Sequence, residues 1–200
     1  MKHVIEQGKN NHPVFVLLHG TGGDETSLLE VGRLLDEEAT MIGIRGNVLE
    51  NGYPRYFKRL SDGVFDLESL ETESKQLHEA IQELAYVNSF DVTNVVLVGY
   101  SNGANIGIRL LLDYPEIYQK AILFHPMYPV EVKDRQLLNK TQVFVTMGKF
   151  DQMVSIQESQ RVLYLLEERE ADVTEMWGNT HQLMYEEIEQ AKRWLEKTSS

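Results

Sequence analysis

Val95-Val96-Leu97-Val98-Gly99-Tyr100-Ser101-Asn102-Gly103-Ala104-Asn105 decides how the rest of the chain is read. Val95 to Val98 is too uniformly apolar for a strand with one wet face, and predicts a strand buried on both faces of a parallel sheet. The run stops at Gly99, and a helix is expected from about Ala104 to Tyr114. Strand, sharp turn and helix in that order hold the serine at the turn in a strained conformation with its hydroxyl exposed. Gly99 and Gly103, two residues to either side, stand where a β-carbon would collide with a neighbouring element.

Outward from this turn, apolar runs and helix-period segments alternate. Pro13–Leu18 is a strand ending in the glycine-rich His19-Gly20-Thr21-Gly22-Gly23-Asp24-Glu25. Asp24 is the expected N-cap of a helix to about Glu38 that buries Leu28, Val31 and Leu35. Met41–Ile44 is a further strand, and His3–Gln7 a short edge strand. Residues 66–87 form the clearest helix, with Leu67, Leu70, Ser74, Leu77, Ile81 and Leu84 inward and His78 on the polar flank. Strands follow at Ala121–Phe124, Gln142–Met147 and about Asp172–Trp177. Ser155-Ile156-Gln157-Glu158 has the form of a capping box opening a helix to about Arg169. A last helix carries Met184, Ile188, Ala191 and Leu195 inward. The alternation predicts an α/β fold, a mostly parallel central sheet with helices on both faces. The elements consume nearly every residue, leaving minimal or no room for a cap.

Between Arg45 and Phe65 the pattern breaks into an irregular segment that concentrates Arg45, Arg55, Lys58 and Arg59 with Tyr53, Tyr56, Phe57 and Phe65. One reading has its aromatics covering the sheet edge and its cations facing water. The other makes it a wall of the substrate pocket, because it leaves the C-terminal end of a strand, where open α/β sheets place ligands.

Composition narrows the partners. A formal net charge of −12 disfavours nucleic acid and anionic membrane surfaces, which would repel the chain. The sequence has no cysteine, which excludes disulfides, a thiolate nucleophile and cysteine metal sites. Neither a signal-like apolar stretch at the N-terminus nor a run of ~18 apolar residues is present, so a cytoplasmic protein without membrane insertion is expected. Length is compatible with one domain over residues 1–200, since single cores commonly reach ~200 residues. Oligomeric state is left open, a homodimer included.

A serine nucleophile at neutral pH needs an imidazole within hydrogen-bond reach, and the imidazole needs a carboxylate to fix its tautomer. After a strand-turn-helix serine these follow in the order carboxylate, then histidine. Only His125 and His181 lie downstream of Ser101. His181 has Asp151, leaving a later strand end, between itself and the serine, and the trio Ser101, Asp151 and His181 is the expected catalytic set. His125 leaves the strand directly after the elbow helix and is read as a pocket-wall or structural residue. Asp134 and Asp172 are poorer candidates, one in a loop-helix stretch and the other at the opposite sheet edge. The developing oxyanion requires donors, expected from the backbone N–H of Asn102 and of Thr21, with Gly22 as a further candidate. His19 is read as bracing the loop behind them. Gly22, Tyr53, Tyr56, Phe57, His125, Met127 and Met153 are the candidate pocket residues. No metal or organic cofactor is needed, because the oxyanion hole and imidazole supply the charge stabilisation.

Leu17 to Glu25, Arg45-Gly46 through Asp66, Gly99 to Asn105, and Gly148 with Asp151 and Val154 also carry a resemblance. Over nearly its whole length the chain resembles the phospholipase/carboxylesterase family of serine hydrolases in the α/β-hydrolase superfamily. It is most similar to a bacterial branch linked to hydroquinone and quinone stress, with which it shares the segment from Asn51-Gly52 to Phe65-Asp66. The resemblance implies an α/β-hydrolase fold and Ser101, Asp151 and His181 as the triad. Thr180 departs from it, since many relatives carry glycine just before the histidine. The expected activity is hydrolysis of small carboxylic esters, with short acyl chains favoured. Alternatives are a quinone- or hydroquinone-binding protein without turnover on the same scaffold, and an acyl thioesterase.

Overall fold

The computed structural model describes residues 1–134 and 136–198. In chain order the elements are β1 (His3–Glu6), β2 (Val14–Leu18), α1 (Leu29–Leu35), β3 (Thr40–Ile44), β4 (Val48–Glu50), β5 (Tyr53–Arg55), β6 (Arg59–Ser61), β7 (Val64–Phe65) and α2 (Leu67–Asn88). They continue with β8 (Val95–Tyr100), α3 (Asn102–Asp113), β9 (Lys120–Phe124), β10 (Gln142–Gly148), α4 (Ile156–Glu167), β11 (Asp172–Gly178) and α5 (Tyr185–Thr198). Seven strands form one sheet in the order β1-β3-β2-β8-β9-β10-β11, parallel throughout except for β1, which runs antiparallel along β3.

Strand alternation divides the core into two layers. Val14, Val16 and Leu18 of β2 and Val95 and Leu97 of β8 face one side, with Leu70, Leu77 and Ile81 of α2, Ile106 and Leu110 of α3, and Val162 and Leu166 of α4. Phe15 and Leu17, with Val96 and Val98, face the other, against Val31 and Leu35 of α1 and Ile188, Ala191 and Trp194 of α5. The β8 residues Val95 to Val98 are accordingly buried on both faces, as a parallel central strand requires. Among the described residues no helix is long and apolar enough to cross a membrane.

Several local expectations are corrected. Helix α1 begins at Leu29, not Asp24. The Asp24 carboxylate instead accepts from Thr26 N–H and from the Thr26 and Ser27 hydroxyls, closing a turn ahead of the helix. The segment expected to be irregular forms two hairpins, β4–β5 and β6–β7. Asn51 and Gly52, at φ of 52° and 84°, supply the two left-handed residues that a tight hairpin turn needs. Leu67 and Met184 are exposed, because each lies at the extreme N-terminal end of its helix, past the layer it covers. The buried side of α5 is completed by Glu187 and Trp194. His78 is not a free surface residue: its ring stacks on Tyr114 at 3.7 Å and its Nδ1 lies 2.9 Å from the Tyr118 hydroxyl.

Candidate active site

All the parallel strands end at one edge, and the candidate residues leave them there. Leu18 at the end of β2 pairs with Gly99 of β8, so the loop after β2 lies beside the elbow. Ser101, between β8 and α3, has φ 50° and ψ −115°, a sparsely populated conformation for a residue with a β-carbon. Its N–H donates to Phe124 O at 2.9 Å. The approach that fixes this turn depends on Gly103, where a β-carbon would lie 2.0 Å from Leu18 O.

His181 follows β11 and Asp151 follows β10, two adjacent strands in register from Gln142↔Asp172 to Gly148↔Gly178. Their loops stay zipped beyond the sheet, with Lys149 N–H donating to Gly178 O and Phe150 N–H to Asn179 O. His181 Nδ1 is thereby held 2.6 Å from Asp151 Oδ2, and His181 Nε2 lies 2.8 Å from Ser101 Oγ. The other carboxylate oxygen of Asp151 accepts from Met153 N–H at 2.7 Å and Val154 N–H at 2.9 Å. Because the carboxylate accepts, Nδ1 carries the ring proton, and Nε2 presents its lone pair to the serine hydroxyl. Thr180 is not among the residues with positive φ, so no glycine is required before the histidine.

The backbone conformation at Ser101 has an energetic consequence. Its φ,ψ region costs of the order of 1–3 kcal/mol for a residue with a side chain, and glycine gives back roughly 0.5–1 kcal/mol through its flexible unfolded state. Ser101→Gly is therefore expected to be more stable than the parent by about 1 kcal/mol, raising the melting temperature by roughly 2–4 °C. Calorimetry checks this; a lower melting temperature contradicts it.

Around this centre the oxyanion candidates stand on two loops. Among the described residues, no acceptor is found for the N–H of Thr21 or of Asn102. The N–H of Gly22, by contrast, already donates to Pro54 O at 2.9 Å and is not a free donor. His19 is buried behind the loop, its Nδ1–H donating to Gly20 O at 2.7 Å and its Nε2 accepting from Gly46 N–H at 3.0 Å. That pairing is the neutral ring, and burial lowers its pKa.

The pocket candidates separate into two groups. Gly22, Tyr53 and Met153 are exposed near the site, with the Tyr53 ring against Gly22, and Met127 is half-buried, its N–H donating to Asn105 Oδ1. Tyr56, Phe57 and His125 do not line an open pocket. Tyr56 and Phe57 are fully buried. The Tyr56 hydroxyl donates to Ile44 O and accepts from His19 N–H, with burial raising its pKa, while Phe57 packs edge-on against Phe65. His125 is buried beside Asp151, with Nε2 2.9 Å from Glu187 Oε1 and Nδ1 4.0 Å from Asp151 Oδ2. Arg55 does not face water either; it is 6% exposed and bonded to Thr21 Oγ1.

Sequence reasoning missed Glu187 and Arg55 at the site. The only signal for Glu187 was a carboxylate next to Ile188 on an apolar helix face. Among the described residues, His125, Asp151 and His181 offer the one grouping of three or more ligand-type side chains close enough for a cation, with their atoms within 4.8 Å of one another. With Nδ1 of His181 carrying the proton that Asp151 Oδ2 accepts, that nitrogen has no lone pair to offer a cation. A surface cleft of about 690 Å³, lined among others by His12, Asp36 and Glu189, lies at the opposite, N-terminal edge of the sheet.

Comparison with known proteins agrees with this architecture. Residues 1–199 match the family described as Phospholipase/Carboxylesterase. The chain is 42% identical to MhqD of Bacillus subtilis (strain 168) over 98% of each chain. It superposes with a TM-score of 0.96 on the crystal structure of the Bacillus cereus carboxylesterase, at 45% identity over 98% of this chain and 94% of that one. A carboxylesterase from Mesorhizobium loti superposes with a TM-score of 0.89 at 25% identity, covering 94% and 90%. With family, fold and relatives in agreement, the chain belongs to the phospholipase/carboxylesterase family and is an enzyme, a carboxylesterase-type hydrolase of the α/β-hydrolase superfamily.

Proposed function

We propose that this enzyme hydrolyses small carboxylic esters by two-step acyl transfer through Ser101. Ser101 Oγ attacks the carbonyl carbon while His181 Nε2 takes the hydroxyl proton, and Asp151 stabilises the resulting imidazolium. The oxyanion is received by the N–H groups of Thr21 and Asn102, the latter at the positive end of α3. The departing alkoxide takes the proton from Nε2. Water, deprotonated by the same nitrogen, then attacks the acyl-serine, and Ser101 leaves reprotonated. No step calls for a metal or an organic cofactor.

The observation that carries this reading is the continuous path from Asp151 Oδ2 to His181 at 2.6 Å and on to Ser101 Oγ at 2.8 Å. Small substrates are favoured because, among the described residues, no inserted cap is found, and the strand connections at this edge are short loops and hairpins. The test is covalent labelling with a fluorophosphonate probe, with Ser101→Ala as control, together with p-nitrophenyl esters of increasing chain length and an acyl thioester. Labelling of the parent alone, with the highest kcat/KM on short esters, is expected. Equal labelling of the variant overturns the mechanism, and preference for long acyl thioesters overturns the substrate class. An absence of turnover with a hydroquinone-induced melting shift would leave a binding protein.

A further inference from the structure

The two proposed oxyanion donors belong to different loops, Thr21 after β2 and Asn102 at the start of α3, and must be aimed at one point for either to be effective. A single stretch of chain fastens both. Pro54 O accepts from Gly22 N–H at 2.9 Å. Arg55 Nη1 donates to Thr21 Oγ1 at 3.0 Å, and Tyr56 N–H donates to Asn102 Oδ1 at 2.8 Å. Three consecutive residues at the end of β5 thus hold the side chain of each donor residue and the peptide next to Thr21.

Arg55 is the unusual member of this strap. Its guanidinium is buried, and burial lowers its pKa, so its placement is unfavourable unless its bonds are used. Within the segment it reaches Phe57 O at 3.4 Å and Glu50 Oε2 at 3.1 Å, and Glu50 is shared with Arg59. The bond to Thr21 is the one that leaves the segment. A hairpin needing only cross-strand stability has no use for it. A buried cation held beside Thr21 also places fixed positive charge near the position where the proposed reaction develops negative charge.

We infer that Arg55 is a positioning residue that sets the oxyanion hole by holding Thr21 through its side chain, acting with the Pro54 and Tyr56 backbone. This rests on the proposed ester hydrolysis at Ser101. Arg55→Met, Arg55→Lys and Thr21→Val are compared with the parent on p-nitrophenyl acetate, and hydrogen exchange is followed at Gly22. Arg55→Met is expected to lower kcat by about 10- to 100-fold with KM within threefold of the parent. Arg55→Lys should fall between the two. Thr21→Val, an exposed and nearly isosteric change, should reproduce part of the loss, and the Arg55→Met/Thr21→Val pair should be no worse than Arg55→Met alone. A trifluoromethyl ketone, which forms an oxyanion on addition of the serine, should weaken in parallel with kcat/KM.

Exchange at Gly22 should quicken in Arg55→Met whether or not esters are turned over. If Arg55→Met does not fold, Thr21→Val carries the same test. Folded variants with parental kcat and parental Gly22 exchange overturn the inference. If the parent shows no Ser101-dependent hydrolysis, the ester reading fails instead, and the exchange measurement decides the strap alone: unchanged exchange at Gly22 removes it.

Discussion

Ser101→Ala is expected to lower kcat on a p-nitrophenyl ester by about 10⁶-fold, the scale on which a serine nucleophile acts with its histidine as one unit. Alanine removes the hydroxyl oxygen that His181 Nε2 approaches at 2.8 Å. The loss should fall on kcat with KM nearly unchanged, because the deleted oxygen makes the new bond in the proposed reaction and is not needed to hold the ester. The variant should keep the parental circular dichroism spectrum, since alanine needs the same turn and Gly103 still allows α3 to meet β2. A steady-state rate within tenfold of the parent, on protein free of parental enzyme, would place the nucleophile elsewhere.

Asp151→Asn should cost about 10⁴-fold in kcat, by a different route. The amide oxygen can retain the bonds from Met153 and Val154 N–H, which anchor the loop after β10. Its nitrogen then meets His181 Nδ1 as a donor. The imidazole answers by moving its proton to Nε2, and a nitrogen carrying a proton cannot take one from Ser101. Kinetics at pH 7 measure the loss, and a melting temperature close to the parent's separates it from unfolding. A decrease of less than tenfold would remove the orienting role from Asp151.

The parts of this site that were legible in the sequence depend on local pattern. The apolar run Val95 to Val98 has one reading beside Gly99 and Gly103, and the order of Ser101, Asp151 and His181 follows from which strand each leaves. What was illegible depends on distant partners. Tyr56 is buried because Ile44, 12 positions away, and His19, 37 positions away, use its hydroxyl, and no local spacing announces that. For Arg55 the sequence left open a water-facing cation or a part of the pocket wall, and only the approach of Glu50 and Thr21 shows it buried between them. His125 and Glu187, 62 positions apart, meet only because β9 and α5 converge behind Asp151. Asp24 shows the opposite failure: a good capping residue closed its own turn with Thr26 and Ser27, and the helix began later.

The β4–β5 hairpin is fixed at one end and free at the other. At its end Pro54 O and Arg55 bind Gly22 and Thr21, while at its turn, among the described residues, nothing beyond the chain neighbours lies within 4 Å of where a Gly52 side chain would start. Lengthening a surface loop is entropically mild, roughly 0.6 kcal/mol for each doubling. Insertions at Asn51-Gly52 are therefore expected to be tolerated without disturbing Pro54, Arg55 and Tyr56, the residues proposed to hold Thr21 and Asn102.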